Sequence, residues 1–469
     1  MPFSLTVFSK AKIRKAIKDS AAAILATSML IGVSTQAHAQ SLLRDTEIED
    51  TLEEFTRPIL AAAGLNSDNV DIYIVNDQSL NAFVTRGQNI FLNSGLILQS
   101  DTPNQLKGVI AHEAGHIADG RIARSDYSNR SAYGAILIAA GLGIAAILAG
   151  EGGAGAAILA GSQQFGALEV LAHTRVGESV ADQYAAQYLD RTGQSGQGLI
   201  EFFDKFRYQE VFSAARRYPY FRSHPLSSDR IDKLREVVAE SEYRYEVDSP
   251  EDLKRLAMTK AKLRGFLDAP QTVFRNYPET DLSDEARYAR SVAYFKGADL
   301  QSAIREIDGL INEHPKNPYF YELKAQMLFE SGKGPASIEP AERAVSLKPD
   351  APLFEIALAQ ALVEANERQS TNRAIELLKS ALQKEPDNGY GWYHLSQAYG
   401  QQGNDALASY AIAEQAFATG DLNRARSFAQ RAQKDIPRNT AQYRRAADIV
   451  VISNTQLAGR GKNRYRPKP

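Results

Sequence analysis

"VIAHEAGHIA" (residues 109–118) sets His112 and His116 four apart, with Glu113 directly after the first. Residues four apart share a helix face, so in a helix both imidazoles reach one point, where a single ion can be held. The surrounding sequence favours a helix. Thr102 is a capping residue ahead of Pro103, and "TPNQLKGVIAHEAGHIADGRIAR" (102–124) runs to Gly115 without a breaker, with alanine and isoleucine on one face. Upstream, residues 43–64 show helical apolar spacing. "DIYIVNDQ" (71–78) and "NAFVTRGQNIFLNSGLI" (81–97) read as strands interrupted at Gly87 and Asn93. A small sheet therefore precedes the histidine helix.

Composition narrows the chemistry. At 469 residues and 44% hydrophobic content, the chain has material for two or three packed domains. Lysine plus arginine (54) nearly balances aspartate plus glutamate (56), which leaves no broad basic field to hold nucleic acid. Cysteine is absent, which excludes disulfides, thiolate metal ligands and cysteine nucleophiles; any metal must sit on His, Asp or Glu.

Residues 1–39 read as an export signal: Lys10, Lys12, Arg14, Lys15 and Lys18 precede the apolar run "AAAILATSMLIGV", and "AHA" stands before Gln40. Cleavage after Ala39 and a periplasmic destination are expected, because the run is shorter than the roughly 20 residues that span a bilayer. A second apolar stretch, residues 132–161, is rich in Gly and Ala and is broken at Glu151. It suits a hydrophobic hairpin that touches the membrane peripherally better than a true span.

From about residue 285 the pattern becomes all helical and repeats. Units ending at Pro315, Pro349 and Pro386 are 34 and 37 residues apart, the tetratricopeptide period. Small residues recur where paired helices cross: Ser291, Ala325 and Ala359 in first helices, Ala344 and Ala381 in second ones. Pro437 follows 51 residues after Pro386, one and a half periods, so one helix should serve two pairs. The expected organisation is a domain over 40–245, linker helices over 246–284, a repeat solenoid over 285–454 and a disordered basic tail over 455–469.

A third ligand is available in "TRVGESVADQYAAQYL" (174–189). Glu178 and Asp182 are four apart on an expected helix; alone they suit a solvated face, but with H-E-x-x-H upstream Glu178 completes a ligand set. Two histidines and a glutamate leave one position open, as catalytic zinc requires. Asp182 would hold a histidine in its correct tautomer or meet the reacting centre, and Glu113 would act as general base. "HEAGH" followed by "TRVGESVAD" and preceded by "NAFVTRGQNIFLNSGLI" resembles the gluzincin family of HtpX-like and CAAX-prenyl-type metallopeptidases. With a signal peptide and C-terminal repeats, the architecture is similar to the periplasmic, repeat-bearing branch of that family.

The resemblance implies an α+β zincin-type metallopeptidase domain, mostly helical with a small β-sheet, followed by an all-α tetratricopeptide-repeat solenoid. It also implies one Zn2+ per chain on His112, His116 and Glu178, with Glu113 as base, Asp182 as a secondary catalytic residue and Arg175 beside the ligand glutamate. The implied role is quality control of outer-membrane β-barrel proteins, with the repeats engaging the assembly machinery or unfolded substrates. His224, in "FRSHPLSSDRIDKL" (221–234) with Arg230 six residues on, resembles a segment near the metal and would be a regulatory fourth ligand. The strand "NIFLN" (89–93) is expected at a sheet edge, where extended substrate would pair. Two other readings stand beside this one: a repeat-based chaperone or adaptor with latent protease activity, and an integral membrane protease of the HtpX kind.

Overall fold

The computed structural model describes residues 42–85, 88–120, 175–211, 224 and 226–464, with backbone only at 175–176, 206–211 and 459–464. The expected export signal and the apolar segment 132–161 lie outside these residues. Among the described residues no helix is long and apolar enough to cross a membrane.

The chain enters through β1 (Leu42–Leu43) and α1 (Thr46–Ala62), capped where the Asp45 side chain accepts from the Ile48 amide. Ile48, Leu52, Phe55 and Ile59, at helical spacing, bury one face of α1 in the core. Strands β2 (Ile72–Val75), β3 (Ala82–Thr85) and β4 (Asn89–Asn93) join β1 in a sheet ordered β1-β2-β4-β3, in which, among the described residues, only β2 and β4 run parallel. This corrects the expectation for "NIFLN": β4 is interior and β3 takes the edge. The reason is that β4 is apolar on both faces. Ile90 and Leu92 enter the main core, while Phe91 stacks between Tyr73 and Phe83, each at 5.0 Å.

After α2 (Ser94–Gln99), the histidine helix α3 (Pro103–Asp119) starts where Thr102 Oγ1 accepts from the Gln105 amide and ends at Gly120, whose φ of 64° suits glycine. It is clamped by α4 (Arg175–Arg191) and α5 (Gln197–Val211). Glycines allow this approach: a Cβ on Gly108 would lie 2.8 Å from Leu199 Cβ, and one on Gly115 would lie 3.1 Å from the Ala181 carbonyl oxygen. Helix α6 (Ser228–Glu240), capped by Ser227, buries Ile231, Leu234 and Val238.

Helices α7 (Pro250–Leu267) and α8 (Pro270–Asn276) lead to the repeats. These comprise α9 (Asp284–Lys296), α10 (Leu300–Glu313), α11 (Pro318–Glu330), α12 (Gly334–Leu347), α13 (Pro352–Ala365) and α14 (Arg368–Lys384), then α15 (Gly389–Gln401), α16 (Asp405–Ala418), α17 (Leu422–Asp435) and α18 (Ala441–Arg464). Three helices lie between Pro386 and Pro437. Helix α18 continues to Arg464, so residues 455–464, expected to be disordered, are helical. Its first half packs on α17, and once nucleated a helix extends at one hydrogen bond per residue.

The α/β unit and the repeats meet through buried charge. Lys262 of α7 is 1% exposed, with Nζ 2.6 Å from Asp45, 3.4 Å from Glu47 and 3.5 Å from Glu322 of α11. Tyr288 donates to Glu47 at 2.7 Å, and Tyr319 to Asp50 at 2.6 Å. One ammonium thus faces three carboxylates. Burial, with Asp45 and Glu47 close by, pushes Glu322 up to about 7, although Lys262 pulls the other way.

His394 of α15 is buried against the Tyr390 and Tyr393 rings, and burial lowers it from 6.5 to about 4. Because the folded value is depressed, stability is full above pH 6.5 and falls as pH drops toward 4, where the unfolded chain takes a proton the folded chain refuses. The shift corresponds to about 3 kcal/mol at its low-pH limit. Urea melts between pH 7 and 4 should show this decline, and His394→Phe should flatten it; an equal slope in the variant would reject the assignment.

Candidate metal centre

Two helices and one loop residue converge at the site. His112 and His116 project from one face of α3, Glu178 comes from the first turn of α4, and His224 arrives from the segment before α6. All four are buried. His112 Nε2 lies 3.1 Å from His116 Nε2, 3.3 Å from His224 Nδ1 and 3.4 Å from Glu178 Oε2. His224 Nδ1 is 3.1 Å from Glu178 Oε2, and His116 Nε2 is 3.5 Å from Glu178 Oε1.

These spacings test the fit to a metal. Donor atoms around a tetrahedral zinc ion with bonds of about 2.0–2.1 Å sit roughly 3.3 Å apart. Three imidazole nitrogens and a carboxylate at 3.1–3.5 Å match that edge length. The donor set is also right for a borderline divalent ion such as zinc.

Behind the donors lies a supporting layer. His112 Nδ1 is 2.9 Å from Asp182 Oδ1, one turn along α4 from Glu178. Asp182 in turn accepts two hydrogen bonds from Arg230, at 2.7 and 2.8 Å, and Arg230 Nη1 stands 3.3 Å from Glu178. The geometry therefore places Asp182 on the far side of the His112 ring from the donor cluster. Phe203 closes the layer, with its ring edge-on to His112 and under the Arg230 guanidinium. Sequence reading singled out neither Phe203 nor the Arg230–Asp182 pair; "FF" at 202–203 reads only as core. The Arg175 side chain is outside the described residues.

Electrostatics follow from burial and these contacts. Burial works against charge on His112, but hydrogen bonds to Asp182 and Glu178 raise it to about 9. Asp182 also resists the effect of burial, since His112 and Arg230 hold it below the ordinary carboxylate range. Glu113 differs: burial pushes it up, and neither of its oxygens has a hydrogen-bond donor among the described residues. Its Oε1 is 3.5 Å from His224 Nε2. A buried carboxylate without donors costs stability, which marks Glu113 as a group kept for chemistry.

Asp284, Glu313 and His314 make a second cluster in the repeats, but it is partly exposed and already neutralised. Lys254 is 2.8 Å from Asp284 and Arg287 is 2.6 Å from Glu313.

Comparison with known proteins agrees with this geometry. Residues 43–238 match peptidase family M48. The beta-barrel assembly-enhancing protease of Escherichia coli K12 is 26% identical over 409 residues, 83% of this chain and 79% of that protein. A putative beta-barrel assembly-enhancing protease of Vibrio cholerae is 26% identical over 433 residues, 89% of this chain and 87% of that protein. Metalloprotease LoiP of Escherichia coli K12 is 28% identical over 171 residues, 36% of this chain and 62% of that protein. Residues 43–238 are thus similar to the metal-dependent peptidases of family M48, and helical repeats follow them.

Proposed function

We propose that the chain is a periplasmic zinc endopeptidase that removes misfolded or stalled outer-membrane β-barrel proteins and assists their assembly, with the repeats engaging substrate or assembly machinery. The observation that carries the chemistry is the convergence of His112, His116 and Glu178 at zinc-like spacing beside a buried Glu113. The names of the two assembly-enhancing relatives support the substrate class.

In this reading His112, His116 and Glu178 hold the ion. When bound, zinc supplies a Lewis acid that polarises the scissile carbonyl and makes water acidic near neutral pH. Glu113 takes the proton from the attacking water and delivers it to the leaving amine nitrogen. Its raised affinity for a proton suits both transfers. Asp182 is a positioning residue: it fixes the His112 tautomer through Nδ1, and Arg230 fixes Asp182.

His224 fills the fourth corner of the donor set, where an open catalytic site would admit water. That position supports a regulatory role, in which the resting peptidase is closed and must release His224 before it cuts. It also favours the second reading, in which the repeats act as an adaptor while the peptidase rests. His224→Ala should keep about one zinc per chain and cut an unfolded test protein several-fold faster than wild type. Metal content and initial cleavage rates decide the matter; loss of zinc with no gain in rate would make His224 an obligatory ligand and sink the regulatory role.

A further inference from the structure

A cavity of about 820 Å³ separates the sheet edge at β1 from the inner helices α11, α13 and α15 of the repeats. Six carboxylates and two guanidiniums line it. Both guanidiniums are already matched: Arg44 is 2.7 Å from Glu49 and 2.7 Å from Glu385, and Arg445 makes two hydrogen bonds to Glu414. Asp71, Glu330 and Asp387 form no salt bridge among the described residues; the nearby Arg44 charge favours ionised Asp71 but is itself held by Glu49 and Glu385. Burial and the Asp387 charge raise Asp71, and burial raises Glu330, so a cation placed among them would relieve both.

The lining also holds apolar side chains. Phe329, Ile356 and Phe417 are half-buried or buried. Strand β1, which also lines the cavity, pairs with β2 on one side only, and no described strand pairs its other side. An extended segment laid along such an edge turns successive side chains to opposite faces. Cationic side chains would meet the acidic groups and apolar ones the aromatic lining.

We propose that this groove binds an extended polypeptide segment in which lysine or arginine alternates with apolar residues. The proposal rests on the reading that the chain acts on unfolded proteins, and it names the sequence class those proteins present to the repeats. Charge decides against an acidic segment, which would meet three carboxylates that form no salt bridge among the described residues.

The test uses the full chain, zinc-loaded and carrying Glu113→Gln so that nothing is cut. A labelled peptide of about twelve residues alternating lysine and valine is titrated by fluorescence anisotropy beside one alternating glutamate and valine. The lysine peptide should bind, more weakly as salt rises, and the glutamate peptide should not. Glu330→Lys with Asp387→Lys should weaken binding by about tenfold or more. Asp71→Asn with Asp387→Asn, which removes charge without adding bulk, should shift affinity the same way, and thermal melts confirm that each variant is folded. Equal affinity for the two peptides, or folded variants that bind like the parent, would overturn the proposal. If the lysine peptide binds but wild type cuts no unfolded protein, the groove stands and the peptidase reading falls.

Discussion

Glu113→Gln should stop cleavage of an unfolded protein while leaving the metal in place and the fold as stable as before or slightly more so. Activity should fall because the residue that moves the proton is lost, a contribution of about 10²–10⁴ in rate. Stability should move the other way. In wild type both Glu113 oxygens are buried without a donor among the described residues, and a neutral amide of the same shape removes the cost of burying a charge. Single-turnover cleavage, zinc content and a thermal melt on one preparation check all three parts. A variant that still cuts at the wild-type rate would remove Glu113 from the mechanism. One that loses zinc would mean that the carboxylate helps to hold the ion.

The second large effect is expected far from the metal. Lys262→Met should destabilise the protein by about 3–5 kcal/mol at pH 8, the range for removing one partner from a buried charge cluster. The side chain keeps its volume, so the loss reflects Asp45, Glu47 and Glu322 left facing one another without their ammonium. The pH dependence identifies the cause. In wild type Glu322 sits at about 7. A carboxyl raised in the folded state contributes stability that is present below the unfolded value near 4.3 and is lost as pH rises through the folded one. Without Lys262 the carboxyls rise further, so the deficit should be largest at pH 8 and should narrow toward pH 5. Urea denaturation at the two values measures it, and a deficit that is constant or larger at pH 5 would show that packing, not charge, is the source.

How much of this was legible beforehand depends on distance along the chain. His112, His116 and Glu113 lie within one helical turn of each other, and a 3.6-residue period is enough to bring them together. The pairing of Glu178 with Asp182 was equally local, but its placement against α3 was not; the ordered resemblance supplied it. Arg230 reaches Asp182 across 48 residues and Phe203 reaches His112 across a helix–helix contact, and neither leaves a periodic trace. The edge expected at "NIFLN" failed for the same reason: alternation reports which faces are apolar, whereas strand order depends on which segments arrive on either side. The repeats were easier because each unit mainly touches its neighbours, so a period of 34 residues carries most of the architecture.

The two unspecified letters of H-E-x-x-H carry information of their own. Gly115, the second of them, lets α3 pack tightly on α4, with the Ala181 carbonyl oxygen 3.1 Å from where an added methyl would lie. His116 is the next residue on one side, and Glu178 lies one turn back on the other. The backbone separation at that glycine therefore sets the bite of the ligand pair. An alanine there would act as a wedge of a few tenths of an ångström, and the bound ion would register it as stretched coordination. Metal affinity in this enzyme is in that sense a readout of helix packing, and a substitution that touches no ligand can retune it.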